Sequence, residues 1–177
     1  MNRKSVVECV QNVRKALENA RDAGCFIGNV WLEKFPRASC LRATELLAEY
    51  LRRNGIKTII VQGSEEEWTH AWLVLNDRGI QPVKQVTHLP PKIVETFRSY
   101  GAGPDLSDTV TKIQYEEEAI RSLTVVDITI DQFGPQYPAP YIGPELGLHQ
   151  KFSITTAKEY KGGCEMSLYN AIERWLE

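Results

Sequence analysis

The sequence lacks a long apolar segment and a strong net charge. No apolar run in the 177 residues approaches the roughly 20 that a membrane-spanning helix requires. The N-terminal segment MNRKSVVECVQNVRKALENA is interrupted by polar residues and does not read as a signal peptide. A formal net charge of -2 gives no general attraction to nucleic acid or to an anionic membrane. We therefore expect a cytoplasmic, soluble protein that binds neither.

Closely spaced metal ligands are also missing. The four cysteines form no C-x-x-C pair and the three histidines show no short ligand spacing, so the pattern predicts neither a metal site nor a cofactor. In a reducing compartment the cysteines would be free thiols. Hydrophobic residues at 42% and charged residues at 25% are ordinary for a globular protein, and the length suits one domain. The oligomeric state is left open by the sequence.

Hydrophobic periodicity predicts helices first and strands afterwards. A helical spacing covers 5–21 and 40–54, and another helix is predicted in CEMSLYNAIERWLE at the C-terminus. Strand patterns occur in KTIIVQG, WTHAWLVL, LTVVDITI and, as an edge strand, KFSIT, whereas DQFGPQYPAPYIGPELG is predicted to be an irregular loop. The order favours an α+β fold, formed by one domain over 1–177 with an insertion at about 80–123.

The helix predicted over 40–54 begins with a cysteine. Ser39 precedes it as a plausible N-cap. The helical angle of about 100° per residue gives Cys40 a face of apolar or small neighbours, and charged side chains fall on the opposite face. The core face also carries Ala43, Thr44, Leu47, Tyr50 and Leu51, and the opposite face carries Arg42, Glu45, Glu49, Arg52 and Arg53. The sulfur of Cys40 is therefore predicted to lie where this helix packs on the sheet.

Two strands each carry one ionisable group among apolar neighbours. Alternation places His70 on one face with two tryptophans, and it places Asp127 on one face of the TVVDITI strand. If these strands pair antiparallel with those faces aligned, His70 and Asp127 lie opposite each other with Cβ atoms about 5 Å apart. Packing the Cys40 helix on the same face would bring the thiol to the other ring nitrogen of His70.

Cys40, His70 and Asp127 are the residue types that nucleophilic catalysis requires. An ordinary thiol, with a pKa of about 8.5, is mostly protonated at neutral pH, but a helix N-terminus and a neighbouring imidazolium lower that pKa. His70 would then protonate a leaving amine, and Asp127 would orient His70. Backbone N–H groups in the first turn of the helix, including that of Cys40, are suited to stabilise a developing oxyanion.

These motifs resemble those of a known enzyme family. SCLRATELLAEYLRRNGI, THAWLVL and VVDIT look like the Cys, His and Asp motifs of the transglutaminase-like branch of papain-fold cysteine enzymes, with Cys40, His70 and Asp127 at the matching positions. The resemblance implies an α+β fold whose Cys-bearing helix packs on an antiparallel sheet. It also implies a cofactor-free peptidase or amidase that acts on a peptide or protein amide. Hydrolysis, deamidation and acyl transfer share one acyl-enzyme and stay open.

Further residues are candidates for substrate binding. Trp68 and Trp72 flank His70, and Gln62 and Arg37 offer an extra oxyanion donor or a partner for a substrate carboxylate. Aromatic residues at 133, 137 and 141 follow the Asp127 strand in the irregular loop and would shape a groove. For all of these aromatic residues, packing in the core is the alternative to substrate binding.

Two other functions stay open. The same fold would serve as a catalytically inactive binding or immunity module if the three residues were retained as buried structure. Alternatively, a metal-dependent hydrolase would use His70 with a carboxylate and another histidine. Thiol reactivity separates the first alternative from an enzyme, and metal analysis tests the second.

Overall fold

The computed structural model describes residues 5–88, 90–99 and 109–176. The chain divides into two compact units, one formed by Met1–Ile80 with Glu117–Glu177 and the other by Gln81–Glu116. The second unit is thus narrower than the insertion predicted at 80–123. The difference arises because the chain forms a helix from Glu117 and then joins the sheet of the first unit.

The first unit is α+β, as predicted, and contains a five-stranded antiparallel sheet. Its helices are α1 (Val6–Asp22) and α2 (Cys40–Arg53), and its first two strands are β1 (Thr58–Glu65) and β2 (Trp68–Leu75). The second unit contains β3 (Val83–His88), α3 (Pro91–Ser99) and β4 (Thr109–Gln114), with β3 and β4 paired antiparallel. The first unit then resumes with α4 (Glu117–Arg121), β5 (Val125–Asp127), a 3-10 helix (Ile130–Phe133), β6 (Tyr141–Gly143), α5 (Gly147–Lys151), β7 (Ser153–Glu159) and α6 (Met166–Glu173). The strand order is β6-β5-β2-β1-β7.

The two N-terminal helices lie where the periodicity predicted them. Ser5 caps α1 through a capping box, in which its Oγ accepts from the Glu8 N–H at 3.2 Å and Glu8 Oε2 accepts from the Ser5 N–H at 2.7 Å. The core face of α2 is buried as its spacing predicted. On the other face Glu49 is an exception, because only 4% of it is exposed and Arg52 and Arg53 both bind its carboxylate.

The strand predicted in LTVVDITI is much shorter than its pattern suggested. β5 ends at Asp127 because the Asp127 side chain turns back and Oδ1 accepts the Thr129 N–H at 3.0 Å. The chain then forms the 3-10 helix in place of further strand. The loop predicted after it contains β6 and ends where α5 begins, while the edge strand expected in KFSIT starts at Ser153, runs on to Glu159 and pairs with β1.

Helices α1, α2 and α6 cover one face of the five-stranded sheet. Leu73 of β2 and Val126 of β5 belong to the same apolar core as buried residues of α1, α2 and α6. Because side chains alternate along a strand, Trp72 and Asp127 project from the other face. Within the described part of the chain, no helix has the length and apolarity needed to cross a membrane.

Candidate active site

Cys40 is the first residue of α2, and the turn before it is tightly held. Ser39 occupies the N-cap position, but its hydroxyl donates to the Pro36 carbonyl at 2.8 Å and makes no capping bond to the helix. Ser39 is therefore the N-cap residue, as predicted, but its side chain does not cap the helix. Ala38 has a φ of 54°, a left-handed conformation that is unusual for alanine. The first-turn N–H groups of α2 are left without a side-chain cap from Ser39, and the N-terminus of a helix favours a negative charge.

The N-terminus of α2 meets β2 where β5 has already ended. Leu73 pairs with Val126 and Val74 with Val125, so Asp127 lies level with Trp72, and β5 does not reach Ala71. The Ala71 carbonyl accepts from Thr44 Oγ1 at 3.2 Å, and the Ala71 N–H helps to lower the pKa of the Cys40 thiol. Two residues one helical turn apart therefore lie beside the two backbone groups that a longer β5 would otherwise reach.

This arrangement corrects the predicted position of the helix. α2 packs on the face of the sheet that carries Leu73 and Val126, opposite to the face of His70 and Asp127. The Cys40 sulfur is nevertheless near His70, which lowers the pKa of the thiol. The sulfur approaches the histidine beside the part of β2 that does not pair with β5. It does not approach from the sheet face that carries His70.

His70 and Asp127 are hydrogen-bonded and fully buried. His70 Nε2 lies 2.6 Å from Asp127 Oδ2, and both side chains have 0% exposed area. They are diagonal neighbours and not directly opposite, because Asp127 is level with Trp72. Diagonal spacing suits these side chains, which are long enough to meet. Of the three residues predicted from the sequence, His70 and Asp127 are thus hydrogen-bonded, and His70 is close enough to Cys40 to lower the pKa of its thiol.

Asp127 has three further hydrogen-bond contacts, from two residues. Its Oδ1 accepts from the N–H and the hydroxyl of Thr129, at 3.0 and 3.4 Å. Its Oδ2 is also 3.1 Å from His149 Nε2, and His149 is completely buried. A buried carboxylate with this many donors is favoured in its ionised form. His149 was not among the predicted site residues, since it lies between the predicted loop and the predicted edge strand, where no element was predicted, and has no short sequence spacing to His70 or Asp127.

Aromatic rings enclose the His70 imidazole. Phe133 meets it edge-on with ring centroids 4.8 Å apart, and Trp72 and Phe152 each lie 5.6 Å away. Trp72 is 1% exposed and stacks at 28° to the imidazole. It therefore supports His70 from within the core, in the packing role that the sequence left open, instead of lining a substrate groove.

The electrostatics favour the thiolate of Cys40 and the imidazolium of His70 relative to a free thiol and a free imidazole. Burial raises the pKa of the Cys40 thiol, but the hydrogen bond and charge of His70, helped by the Ala71 and Leu41 N–H groups, bring that pKa below its ordinary 9.0. Burial lowers the pKa of His70, but the charge and hydrogen bond of Asp127, joined by Cys40, raise it to about 9. Burial opposes ionisation of Asp127, yet the charge of His70 and the hydrogen bonds from His149 and His70 hold its pKa well below 3.8.

Gln132 also contacts the histidine and was not predicted as a site residue. Its Nε2 lies 3.2 Å from His70 Nδ1 and 3.4 Å from Thr129 Oγ1. Its amide nitrogen donates to Nδ1 of a neutral His70, and with its oxygen and nitrogen exchanged the same amide accepts from the Nδ1–H of a charged His70. The 3-10 helix after β5 supplies this residue, and a strand through Ile130 would have placed it elsewhere.

A pocket of about 990 Å³ opens beside Cys40. Arg37 and Trp68 line it, as the sequence suggested, whereas Gln62 and Trp72 are not among its lining residues. Of the aromatic loop residues, Phe133 and Tyr137 line it, and Tyr141 instead donates its hydroxyl to the Pro144 carbonyl at 2.6 Å. Charged side chains of both signs and the half-exposed Trp31 complete the walls, which include Arg42, Glu65, Glu67 and Lys151. The volume suits a ligand of several residues or a drug-sized molecule.

His70, Asp127 and His149 form the one group of potential metal ligands found among the described residues, with ligand atoms within 4.8 Å of one another. Zinc holds nitrogen and oxygen ligands about 2.0–2.2 Å away, which separates two tetrahedral ligands by about 3.3 Å. The 2.6 Å between His70 Nε2 and Asp127 Oδ2 is instead a hydrogen-bond distance, too short for an ion bound to both atoms. The arrangement fits a hydrogen-bonded cluster better than a metal site.

Comparison of the chain with protein-family models, with curated proteins and with solved structures found no match. Any family relationship and activity are therefore inferred from the site itself. That inference depends mainly on two features. One is the position of His70 between Cys40 and Asp127, and the other is the pocket beside the Cys40 sulfur.

Proposed function

We propose that this protein is a cysteine-dependent hydrolase, a peptidase or amidase, that cleaves an amide bond through Cys40, His70 and Asp127. The observation that carries the proposal is that His70 is hydrogen-bonded to the buried Asp127 and lowers the pKa of the Cys40 thiol, with Cys40 in the wall of the pocket. A structural thiol needs neither an imidazole partner nor access to a pocket, whereas a nucleophile needs both.

The proposed reaction follows from the protonation states. The Cys40 thiolate attacks the carbonyl carbon of the amide, and a carbon–sulfur bond forms. His70 gives the proton on Nδ1 to the departing amine as the carbon–nitrogen bond breaks, which leaves a thioester and a neutral imidazole. His70 then takes a proton from water, the hydroxide attacks the thioester, and the acid leaves as the thiol is regenerated. An amine in place of water gives transfer.

The site also offers stabilisation for the tetrahedral oxyanion. Helices leave the N–H groups of their first turn without intrahelical acceptors, and Cys40 itself begins α2. These donors, together with the helix dipole, point toward the region where the carbonyl oxygen would become negative. The pocket would hold the rest of the substrate, with Arg37 and Trp68 in its walls.

The family proposed is the transglutaminase-like branch of the papain fold. Its support is a Cys-bearing helix that packs on an antiparallel sheet, with the histidine and the aspartate on adjacent strands. The segment Gln81–Glu116 would then be an insertion between those two strands. A catalytically inactive binding module of the same fold is the competing function, and thiol reactivity distinguishes the two.

The first experiment measures the pH dependence of Cys40 alkylation by iodoacetamide, in the parent and in His70→Ala, by peptide mass spectrometry. Because the pKa of Cys40 is lowered, its thiolate persists below pH 8 and is lost only as the pH falls through that lowered pKa. The parent should therefore show a rate plateau below pH 8. In His70→Ala the rate should fall about tenfold per pH unit below the ordinary thiol pKa.

Internal controls come from the other thiols. Cys9 is fully buried, and the burial of Cys164 raises the pKa of that thiol, so both should react slowly in the native protein. Equal rates at Cys40 in parent and variant would contradict the proposal and favour the binding module. If the plateau is found, peptide and amide libraries are screened with Cys40→Ser as the control for uncatalysed hydrolysis.

A further inference from the structure

We propose that His149 is a positioning residue that fixes the Asp127 carboxylate for its hydrogen bond to His70. This inference rests on the proposed function, because it assigns a part in that reaction to a residue outside the pocket. His149 is completely buried and is not among the residues that line the pocket beside Cys40. It touches the site only through Asp127 and the neighbouring rings, so any effect on Cys40 must pass through them.

Both histidines are directed at the same oxygen of Asp127. Oδ2 lies 2.6 Å from His70 Nε2 and 3.1 Å from His149 Nε2. Oδ1 is occupied by the N–H and hydroxyl of Thr129. The carboxylate is therefore held from both ends, and rotation about its χ2 would break bonds at Oδ1 and Oδ2 together. Without His149, Oδ2 would keep His70 alone.

The hydrogen bonds of His149 define its tautomer. Its Nδ1 accepts the Leu146 N–H at 3.3 Å, and a protonated Nδ1 could not accept that bond. The proton of the neutral ring is therefore on Nε2, the atom that faces Asp127. His149 thus supplies a donor to the buried carboxylate without adding a second cation beside His70.

The surroundings of His149 are otherwise aromatic. Trp72 lies 5.3 Å away between ring centroids, and the rings of His70 and Tyr141 each lie 6.2 Å away. The titratable groups facing it from the packed strands are thus Asp127, His70 and Tyr141, and Cys40 of α2 follows beyond His70. Burial raises the pKa of the Tyr141 hydroxyl, so it is neutral at physiological pH. Asp127 is the anion of this group.

Two amide variants separate the donor from the rest of the side chain. In His149→Gln the amide nitrogen reaches about as far as Nε2 and can donate to Asp127. In His149→Asn the amide is one bond shorter, near the position of Nδ1, so it faces Leu146 and loses the bond to Asp127. Neither amide titrates, and both are polar, which makes them a matched pair.

The readouts are the pH profile of Cys40 alkylation and the titration of the His70 ring by NMR. In His149→Asn we expect the pKa of His70 to fall and the alkylation rate at pH 6 to drop about tenfold, the factor that one pKa unit gives. At pH 10, where the thiol ionises without help, the rate should match the parent. His149→Gln should stay within about twofold of the parent throughout, given a comparable donor to Asp127.

The outcomes distinguish the two proposals. If Cys40 of the parent shows no plateau below pH 8, the hydrolase proposal fails, and the His70 titration still decides the role of His149. If the plateau exists but His149→Asn leaves both it and the His70 pKa unchanged, or raises that pKa, the positioning role is wrong. A lower melting temperature with an unchanged pH profile in both variants would mean that His149 only stabilises the fold.

Discussion

The two faces of the central sheet are both buried, but they are built from different chemistry. On the helix side, Leu73 and Val126 join an apolar core with α1, α2 and α6. On the other side the same two strands present Trp72, His70 and Asp127, enclosed by aromatic rings and by His149. Apolar packing needs no particular partner, whereas a buried charge needs specific donors. The first face supplies stability, and the second holds groups poised for chemistry.

Hydrogen bonding on the site face is complete. The described residues include three buried side-chain atoms without a partner, at Thr58, Asn76 and Trp175, and none belongs to the cluster around Asp127. A buried polar group without a partner costs about 1–3 kcal/mol, and more when it is charged. The cluster is therefore a fully satisfied network, in which removal of one member leaves the others unpaired.

The largest effect is expected from breaking the site face. Asp127→Ala removes the buried anion and leaves His70 and His149 without an acceptor, so the free energy of unfolding should fall by about 3–5 kcal/mol. Urea unfolding measures this loss. Asp127→Asn, which keeps the size of the side chain, should also lose the low-pH plateau of Cys40 alkylation. A loss below about 1 kcal/mol in Asp127→Ala would mean that the buried charge is not paired as described.

A smaller stability loss should come from the helix face, and it should spare the site. Leu73→Ala creates a cavity between the sheet and α2, and a buried Leu→Ala change costs about 2–5 kcal/mol. Because Leu73 points away from His70, the pH profile of Cys40 alkylation should be retained under conditions where the variant is folded. Urea unfolding and the alkylation assay check the two halves of this expectation, and a lost plateau would show that the faces are not independent.

The smallest effect is expected at the position where α2 meets β2. Thr44→Val keeps the shape of the side chain but removes the donor to the buried Ala71 carbonyl, which should cost about 1 kcal/mol in urea unfolding. The matched control is Thr96→Val. Thr96 makes an equivalent bond to the Lys92 carbonyl on an exposed helix, so its replacement should change the free energy of unfolding little. Equal losses in both variants would argue against a special role for the Thr44 bond.

Local sequence patterns were sufficient to predict that Cys40, His70 and Asp127 lie close together. The phase of one helix gave Cys40 its inward direction, and alternation gave His70 and Asp127 compatible faces. These signals depend on neighbours within a few residues, which the sequence contains directly. The prediction of the sheet face on which α2 packs was wrong. The Cys40 thiol approaches His70 from the opposite face because β5 ends early, and the side-chain turn at Asp127 ends that strand.

Residues distant in sequence could not be placed in this way. Gln132 lies in the segment predicted as loop and His149 just after it, and their contacts with His70 and Asp127 depend on the path of the chain after β5. Glu49 was predicted to be exposed, but Arg52 and Arg53 neutralise it in a buried position, where the Arg52 hydrogen bond is the main cause that lowers its pKa to about 2. Tertiary pairing of this kind overrides the helical pattern.

The departure of the chain between β2 and β5 has a consequence for engineering. The Leu75 N–H donates to the Thr124 carbonyl at 2.9 Å, so the point at which the chain leaves β2 is adjacent to the point at which it returns to β5. Everything from Asn76 to Leu123 is an excursion whose two ends are hydrogen-bonded neighbours. An antiparallel pair with ends this close can be joined by a short turn, since the cost of closing a loop changes only slowly with its length. A direct turn there would also remove α4, so a shortened or grafted chain keeps the first unit whole only if the change is confined to Gln81–Glu116.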